Sequence, residues 1–172
     1  MKPGENLTGL LLVAHPALRD PNFRRTIVFL SQHSLEDGAT GFVLNRPLEP
    51  DLTGDLETPV FFGGPVDAGS MLLASLQWRE NPAMVAFRAF PDGAEEDSRH
   101  GWEEGLRIFV GCSGWSPGQL ERELAENTWL VVAPTRDLIE MKNPELVWKN
   151  IMRSAGPLLH LLGEAPDDPT KN

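Results

Sequence analysis

Short apolar runs, each stopped by turn residues, fill the first three quarters of the chain. Residues 9–14 (GLLLVA) form a run that ends at His15-Pro16, the pattern of a buried strand. Residues 26–33 (TIVFLSQH) are rich in β-branched and aromatic side chains and predict a second strand. Residues 41–45 (GFVLN) predict a third, stopped by Arg46-Pro47. The turn between them, EDGAT around Gly38, is short enough to make strands two and three an antiparallel hairpin. Residues 59–64 (PVFFGG), 71–76 (MLLASL), 84–90 (MVAFRAF), 106–112 (LRIFVGC) and 129–133 (WLVVA) continue the series. Asp20-Pro21-Asn22 marks a turn between the first two strands. Residues 47–59 hold three prolines and predict a loop with room for one helical turn. Residues 91–105 are acidic and glycine-bearing, and predict an exposed connection, again with one helical turn.

The period changes late in the chain. Ser116 is placed to cap a helix, with Pro117 at its first position and Gln119 three residues after the serine, the arrangement of a capping box. Leu120 and Leu124 share one face of that helix. Asn143-Pro144-Glu145 opens another by the same logic. Its apolar face is expected to run through Val147, Ile151 and Ala155, with Gly156 closing it. PLLHLLG predicts a further short helix, and the tail APDDPTKN a frayed end. Strands in runs with helices gathered late predict an α+β fold. Residues 1–172 read as one domain, in which 66–105 could form a small subdomain on the main sheet.

Composition narrows the class. Hydrophobic residues make up 41% of the chain and charged residues 23%, enough for a core and unlike a disordered segment. The single cysteine, Cys112, forms no internal disulfide, which fits a reducing compartment. The N-terminal apolar run is short, follows Glu5 and lacks a clear cleavage site, so a signal peptide is not expected. No stretch reaches the roughly 20 apolar residues of a membrane helix. The expectation is a cytoplasmic protein. Its net charge of −10 repels phosphate backbones and anionic lipid. Outside loops of mixed charge, Arg24-Arg25 is the only close basic pair, so neither a nucleic-acid nor a membrane partner is expected.

Several stretches invite a catalytic reading. GCSGW (111–115) resembles the G-x-S-x-G turn that presents a hydrolase nucleophile, but Trp115 replaces the last glycine and the helix begins later. His160 is the only histidine after the serine and sits among leucines. Ser113 and Cys112 are better explained by a glycine-rich strand-to-helix turn, with Cys112 a small buried hydrophobe. Residues 64–71 (GPVDAGSM) imitate a phosphate loop, yet Ser70 stands where the lysine belongs and Asp67 puts negative charge where phosphate would sit. His15, His33, His100 and His160 lack metal-ligand spacing, and neither metal nor cofactor is expected. Trp115, at the loop-to-helix junction with Gln119 beside it, is a candidate contact surface. Asp20, Asn22, Arg25, Asn45 and Arg46 flank strand ends. They are expected to meet at the open end of the hairpin, with Asp20 paired to Arg25 or Arg46 and Asn45 satisfying loop backbone. That cluster is either a structural tie or a site for an anion or other small ligand.

Taken together, "DPNFRRTIVFLSQH", "GATGFVLNRP", "FFGGPV" and "GCSGWSPGQLERELAENTWL" resemble the YqgE/AlgH family of bacterial proteins. The likeness spans residues 9–162 and rests on Asp20-Pro21-Asn22-Phe23, Gly41, Asn45-Arg46-Pro47, Gly63-Gly64-Pro65, Gly114-Trp115 and Gln119-Leu120-Glu121. It implies a bent, partly barrel-like mixed β-sheet with flanking helices. It brings no established activity and no catalytic residues. Cys112 and Ser113 do not match fixed positions of the family pattern, and the tail after Leu162 departs from the commoner ending. Some members carry the label of transcriptional regulator, yet no helix-turn-helix pair or basic helix is apparent here. The leading expectation is a non-enzymatic binding or regulatory protein acting through a small ligand or a protein partner. A transcriptional regulator comes second, and a hydrolase built on Ser113 or Cys112 third.

Overall fold

The computed structural model describes residues 5–49 and 57–164. The described residues hold eight strands: β1 (Leu11–Ala14), β2 (Ile27–Ser34), β3 (Gly38–Val43), β4 (Val60–Phe62), β5 (Val66–Glu80), β6 (Ala83–Phe90), β7 (Leu106–Trp115) and β8 (Trp129–Val132). They also hold four α-helices: α1 (Gln119–Ala125), α2 (Arg136–Ile139), α3 (Pro144–Ala155) and α4 (Pro157–Glu164). The strands make one open sheet in the order β6-β5-β7-β3-β2-β1-β8, antiparallel except that β4 lies parallel to β7. The α+β expectation holds, and so does the bend. Phe87 on β6 reaches Phe29 on β2 and Phe42 on β3, with ring centroids 5.5 and 5.8 Å apart, although β5 and β7 intervene in the sheet. The sheet curls over its own concave side without closing.

Both faces of the central strands are buried, which is why they read as unbroken apolar runs. Leu11, Val13, Ile27, Phe29, Phe42 and Leu44 point to one side, where Leu76, Val85, Phe109, Ile139, Trp148 and Met152 cover them. Leu12, Ala14, Val28, Leu30 and Val43 point to the other, covered by Leu7, Trp115, Leu120 and Trp129. Alternation along each strand divides its side chains between the two cores. The indole of Trp148 donates to the Ala14 carbonyl at 2.8 Å and fixes α3 to the end of β1.

β7 joins the two halves of the sheet. One edge pairs with β5 through Leu106–Val110 and again at Cys112. The other pairs with β4 through Ile108–Val110, then with β3 through Ser113–Trp115. The backbones cross closely where β4 ends. A Cβ on Gly63 would lie 2.2 Å from the Gly111 carbonyl oxygen, and one on Gly111 would lie 2.3 Å from that of Gly64. The FFGGP and VGC motifs are therefore two sides of one backbone contact that admits only glycine.

Several boundaries differ from those expected. β5 runs 15 residues, beginning at Val66 within the stretch that imitates a phosphate loop. β7 continues through Trp115, so Ser113 is in a strand and not in a turn. α1 starts after the expected cap, at Gln119. Ser116–Gln119 instead forms a turn: the Gln119 N–H donates to the Ser116 carbonyl at 2.9 Å, with Pro117 and then Gly118 (φ 72°) at the centre. Proline followed by a positive-φ glycine is the signature of a type II turn, and it outcompetes the helix. Half of the capping box survives, since the Ser116 N–H donates to Gln119 Oε1 at 3.0 Å. α2 has no counterpart among the elements the sequence predicts; Thr135 caps it. α3 runs Pro144–Ala155 and Gly156 caps it, as expected, but its buried residues are Trp148 and Met152, Val147 and Ile151 are partly covered, and Ala155 is exposed. A 3-10 turn at Glu96–Arg99 is the helical turn expected within 91–105. The helical turn expected in the 47–59 loop and the frayed tail fall largely on residues 50–56 and 165–172, outside the described residues.

Candidate functional site

The most nucleophile-like stretch is structural. Ser113 has no solvent exposure, and its hydroxyl donates to the Gly63 carbonyl at 3.0 Å, tying β7 to the end of β4. The Cys112 thiol has its pKa pushed up, first by burial and then by the negative charge of Asp67. That is opposite to the depression that makes a reactive thiolate. Trp115 is 5% exposed, so it offers no contact surface. Its indole donates to Glu123 Oε2 at 2.8 Å, and Gln119 Nε2 donates to Glu123 Oε1 at 2.9 Å. Phe23, Trp115 and Trp129 pack ring against ring beside this carboxylate.

The polar residues at the hairpin's open end do come together, with different partners than expected. Asn45 is 8% exposed; its Oδ1 accepts the Ile27 N–H at 2.8 Å and its Nδ2 donates to the Arg25 carbonyl at 2.9 Å. Arg46 Nη1 and Nη2 donate to the Asn22 and Arg24 carbonyls at 2.7 and 3.0 Å. Burial lowers the Arg46 pKa, and so does nearby Arg24, while Asp20 acts in the opposite direction. The Asp20 carboxylate caps the turn by accepting the Asn22 N–H at 2.8 Å, in place of the close ion pair expected with Arg25 or Arg46. Arg25 takes a left-handed backbone (φ 58°) and places its guanidinium 5.6 Å from the Trp148 ring centroid. The donors of Asn45 and Arg46 are thus directed at loop backbone.

His33 is also spoken for. Its Nδ1 accepts the Leu7 N–H at 3.0 Å, which makes Nε2 the proton-bearing nitrogen facing Glu121 Oε1 at 2.7 Å. Among the described residues, no group of three or more His, Cys, Asp or Glu could hold a metal ion.

A different place has room for a ligand. A cavity of about 800 Å³ opens between β5, the start of β7, the start of β4 and α2. Leu44, Phe61, Leu76, Trp78, Leu106 and Met141 supply apolar wall. Arg79, Arg107, Arg136, Glu104, Glu140 and Gln77 supply polar wall. Arg136 is committed across the rim to Glu80 (Nε to Oε1, 3.2 Å) and to Glu140 (3.4 Å). Gln77 Nε2 donates to the Glu104 and Gly101 carbonyls at 2.7 and 3.2 Å and holds the 101–104 loop against β5. Arg107 is 8% exposed and shares with Phe109 the core side of β7. It donates from Nη2 to the Ile139 carbonyl at the end of α2 and stands 5.6 Å from the Phe61 ring centroid. Burial pulls its pKa down to about 10, and no carboxylate pairs with it among the described residues. Sequence reasoning passed over Arg107 as one charge in an apolar strand. The only signal was its position, in phase with Phe109.

Comparison with known proteins decides the family. The family model described as AlgH-like matches residues 11–160. The chain belongs to the AlgH-like family. It is 38% identical to a UPF0301 protein of Streptomyces avermitilis, over 97% of this chain and 96% of that one. It is 31% identical to a UPF0301 protein of Chlorobium phaeobacteroides, over 96% and 95%. Among solved structures, the AlgH-like fold is shared with the crystal structure of protein DIP2367 from Corynebacterium diphtheriae (TM-score 0.74, 22% identity, 96% of this chain and 95% of that one). It is shared too with the solution structure of the AlgH protein from Pseudomonas aeruginosa (TM-score 0.61, 25% identity, 96% and 98%). No helix among the described residues of this AlgH-like chain is long and apolar enough to cross a membrane.

Proposed function

We propose that this AlgH-like protein is a non-enzymatic binding protein with a regulatory role, which takes a small ligand in the cavity between β5, β7 and α2. The observation that carries this reading is the cavity itself. Its volume of about 800 Å³ is that of small-molecule sites, and its wall combines apolar surface with buried Gln77 and Arg107 and with charged groups at the rim. The residues that would have made a hydrolase support the same reading, because Ser113 and Cys112 are engaged or deactivated. Direct DNA recognition finds no support in the helices. On α3, Arg153 pairs with Glu164 of α4 at 3.2 Å and Lys149 follows Glu145 by one turn, and the chain's net charge is −10. No operator binding tighter than non-specific contact, roughly 10⁻⁶ M at physiological salt, is expected. The single cysteine supports a cytoplasmic setting.

Native mass spectrometry of protein purified from its own cells tests the reading. A bound small molecule should be present, and should be lost in a variant that fills the cavity, Met141→Trp. A footprint on a defined operator, or a bound mass that Met141→Trp leaves in place, would refute it.

A further inference from the structure

We propose that Arg107 anchors the oxyanion head of a small organic ligand, a carboxylate or phosphate carried on a flat apolar body. This rests on the cavity's being a binding site. The case begins with an imbalance. A buried cation is costly unless paired, and Arg107 is nine-tenths buried with no carboxylate partner among the described residues. A guanidinium carries five N–H donors in a planar fork, and here one nitrogen is spent, on the Ile139 carbonyl. Arg107 forms part of the cavity wall, and no second hydrogen-bond partner of its guanidinium lies among the described residues. A planar fork matches two oxygens of one head group better than a point charge does.

The wall agrees with this chemistry. Of the charged groups in the wall, Arg136 is paired with Glu80 and Glu140, whereas Arg107 has no carboxylate at contact distance among the described residues. Phe61 lies beside the guanidinium, and Trp78, Leu76 and Leu106 continue the apolar surface, so a flat ring joined to the head group would be covered as well. The head group would meet Arg107 from the cavity while Ile139 holds it from behind. Occupancy would then bear on the end of α2.

Isotope-labelled full-length protein titrated with benzoate, phenyl phosphate and benzamide tests the assignment by NMR. Benzamide keeps the ring and removes the charge. Benzoate or phenyl phosphate should give saturable shifts at the Arg107 Nε–H and at the amides of Gly105 and Leu106. Whichever anion acts identifies the head group. Benzamide should bind at least tenfold more weakly, and Arg107→Met should weaken the anion about ten- to a hundredfold, the loss expected for charge-assisted hydrogen bonds. Arg107→Lys should fall between. If Arg107→Met does not fold, the contrast between benzoate and benzamide at the wild-type Nε–H still decides. Equal shifts from benzamide with the Nε–H unmoved would overturn the anchor and leave the cavity a binding site. No shift at the cavity from any probe at tens of millimolar would overturn both.

Discussion

Trp115 and Trp129 donate their indole N–H groups to the same carboxylate oxygen, Glu123 Oε2, at 2.8 and 2.7 Å. One residue of α1 thereby holds the last residue of β7 and the first of β8, two strands that are not neighbours in the sheet. Glu123→Ala would strand two indole donors in a buried aromatic cluster. The expected loss is about 3 kcal/mol of stability, because hydrogen bonds to charged groups contribute about 1.5–3 kcal/mol each. Chemical denaturation followed by tryptophan fluorescence reads it directly. Glu123→Gln, which keeps an acceptor, should lose less than half as much.

Asn45 offers a sharper test of the hairpin's open end. Its amide donates to one backbone group and accepts from another. Asn45→Asp keeps the acceptor for Ile27 but turns an oxygen toward the Arg25 carbonyl. At neutral pH it should destabilise at least as much as Asn45→Ala, and it should regain part of the loss as the new carboxyl protonates. Arg46→Ala, which frees the Asn22 and Arg24 carbonyls to half-exposed surroundings, should cost about 1–2 kcal/mol. A denaturation midpoint unchanged in Arg46→Ala would show that these contacts add nothing to stability.

The Cys112 thiol should alkylate slowly at pH 7 and faster as pH rises beyond the ordinary thiol range. Asp67→Asn should speed it, since the carboxylate is the second cause of the raised pKa. The sign for stability follows. A thiol with a higher pKa folded than unfolded favours folding while protonated, fully below the unfolded value of about 8.5, and that help is lost as pH rises through the folded value. Cys112→Ala should therefore flatten the alkaline fall in stability. Rapid labelling at pH 6 would contradict the geometry.

Arg107 should be a stability liability. Its pKa falls to about 10 on folding, so the folded state disfavours the cation at every pH below that value, and the penalty eases only as pH climbs toward the unfolded value. Arg107→Met removes the buried charge and forfeits a hydrogen bond to Ile139 that contributes about 1.5–3 kcal/mol. Similar-sized apolar replacements of buried ions are often neutral or stabilising. A melting temperature equal to or above that of the parent is the expected result. A fall of more than about 2 kcal/mol would make Arg107 a structural tie.

The central sheet was legible because burial on both faces leaves uninterrupted apolar runs, as in β1 and the first half of β2. The hairpin and the gathering of Asn22, Arg25, Asn45 and Arg46 at its open end followed from one short turn. Their partners did not follow, because backbone carbonyls compete for arginine as well as carboxylates do and leave no mark in a sequence. Ser116, Pro117 and Gln119 fit a helix start and a type II turn equally well until Gly118 adopts its positive φ. Trp115 stands as a candidate contact residue in the sequence because nothing local discloses Glu123 eight positions on. The cavity was invisible for a related reason. Its wall draws on β4, β5, β7 and α2, distant in sequence and brought together only by the curl of the sheet.

The position of β7 also dictates the order in which the molecule can be completed. β3 and β4 both wait for partners some fifty to seventy residues further along the chain, as the register of Gly41 with Ser113 and of Val60 with Ile108 shows. On the ribosome, the β2–β3 and β5–β6 hairpins can form early, each with one edge unsatisfied until β7 emerges between them. Such long-range pairings slow folding and leave strand edges open to wrong partners. A nascent chain stalled before residue 106 should therefore be a far better chaperone client than one released after residue 115.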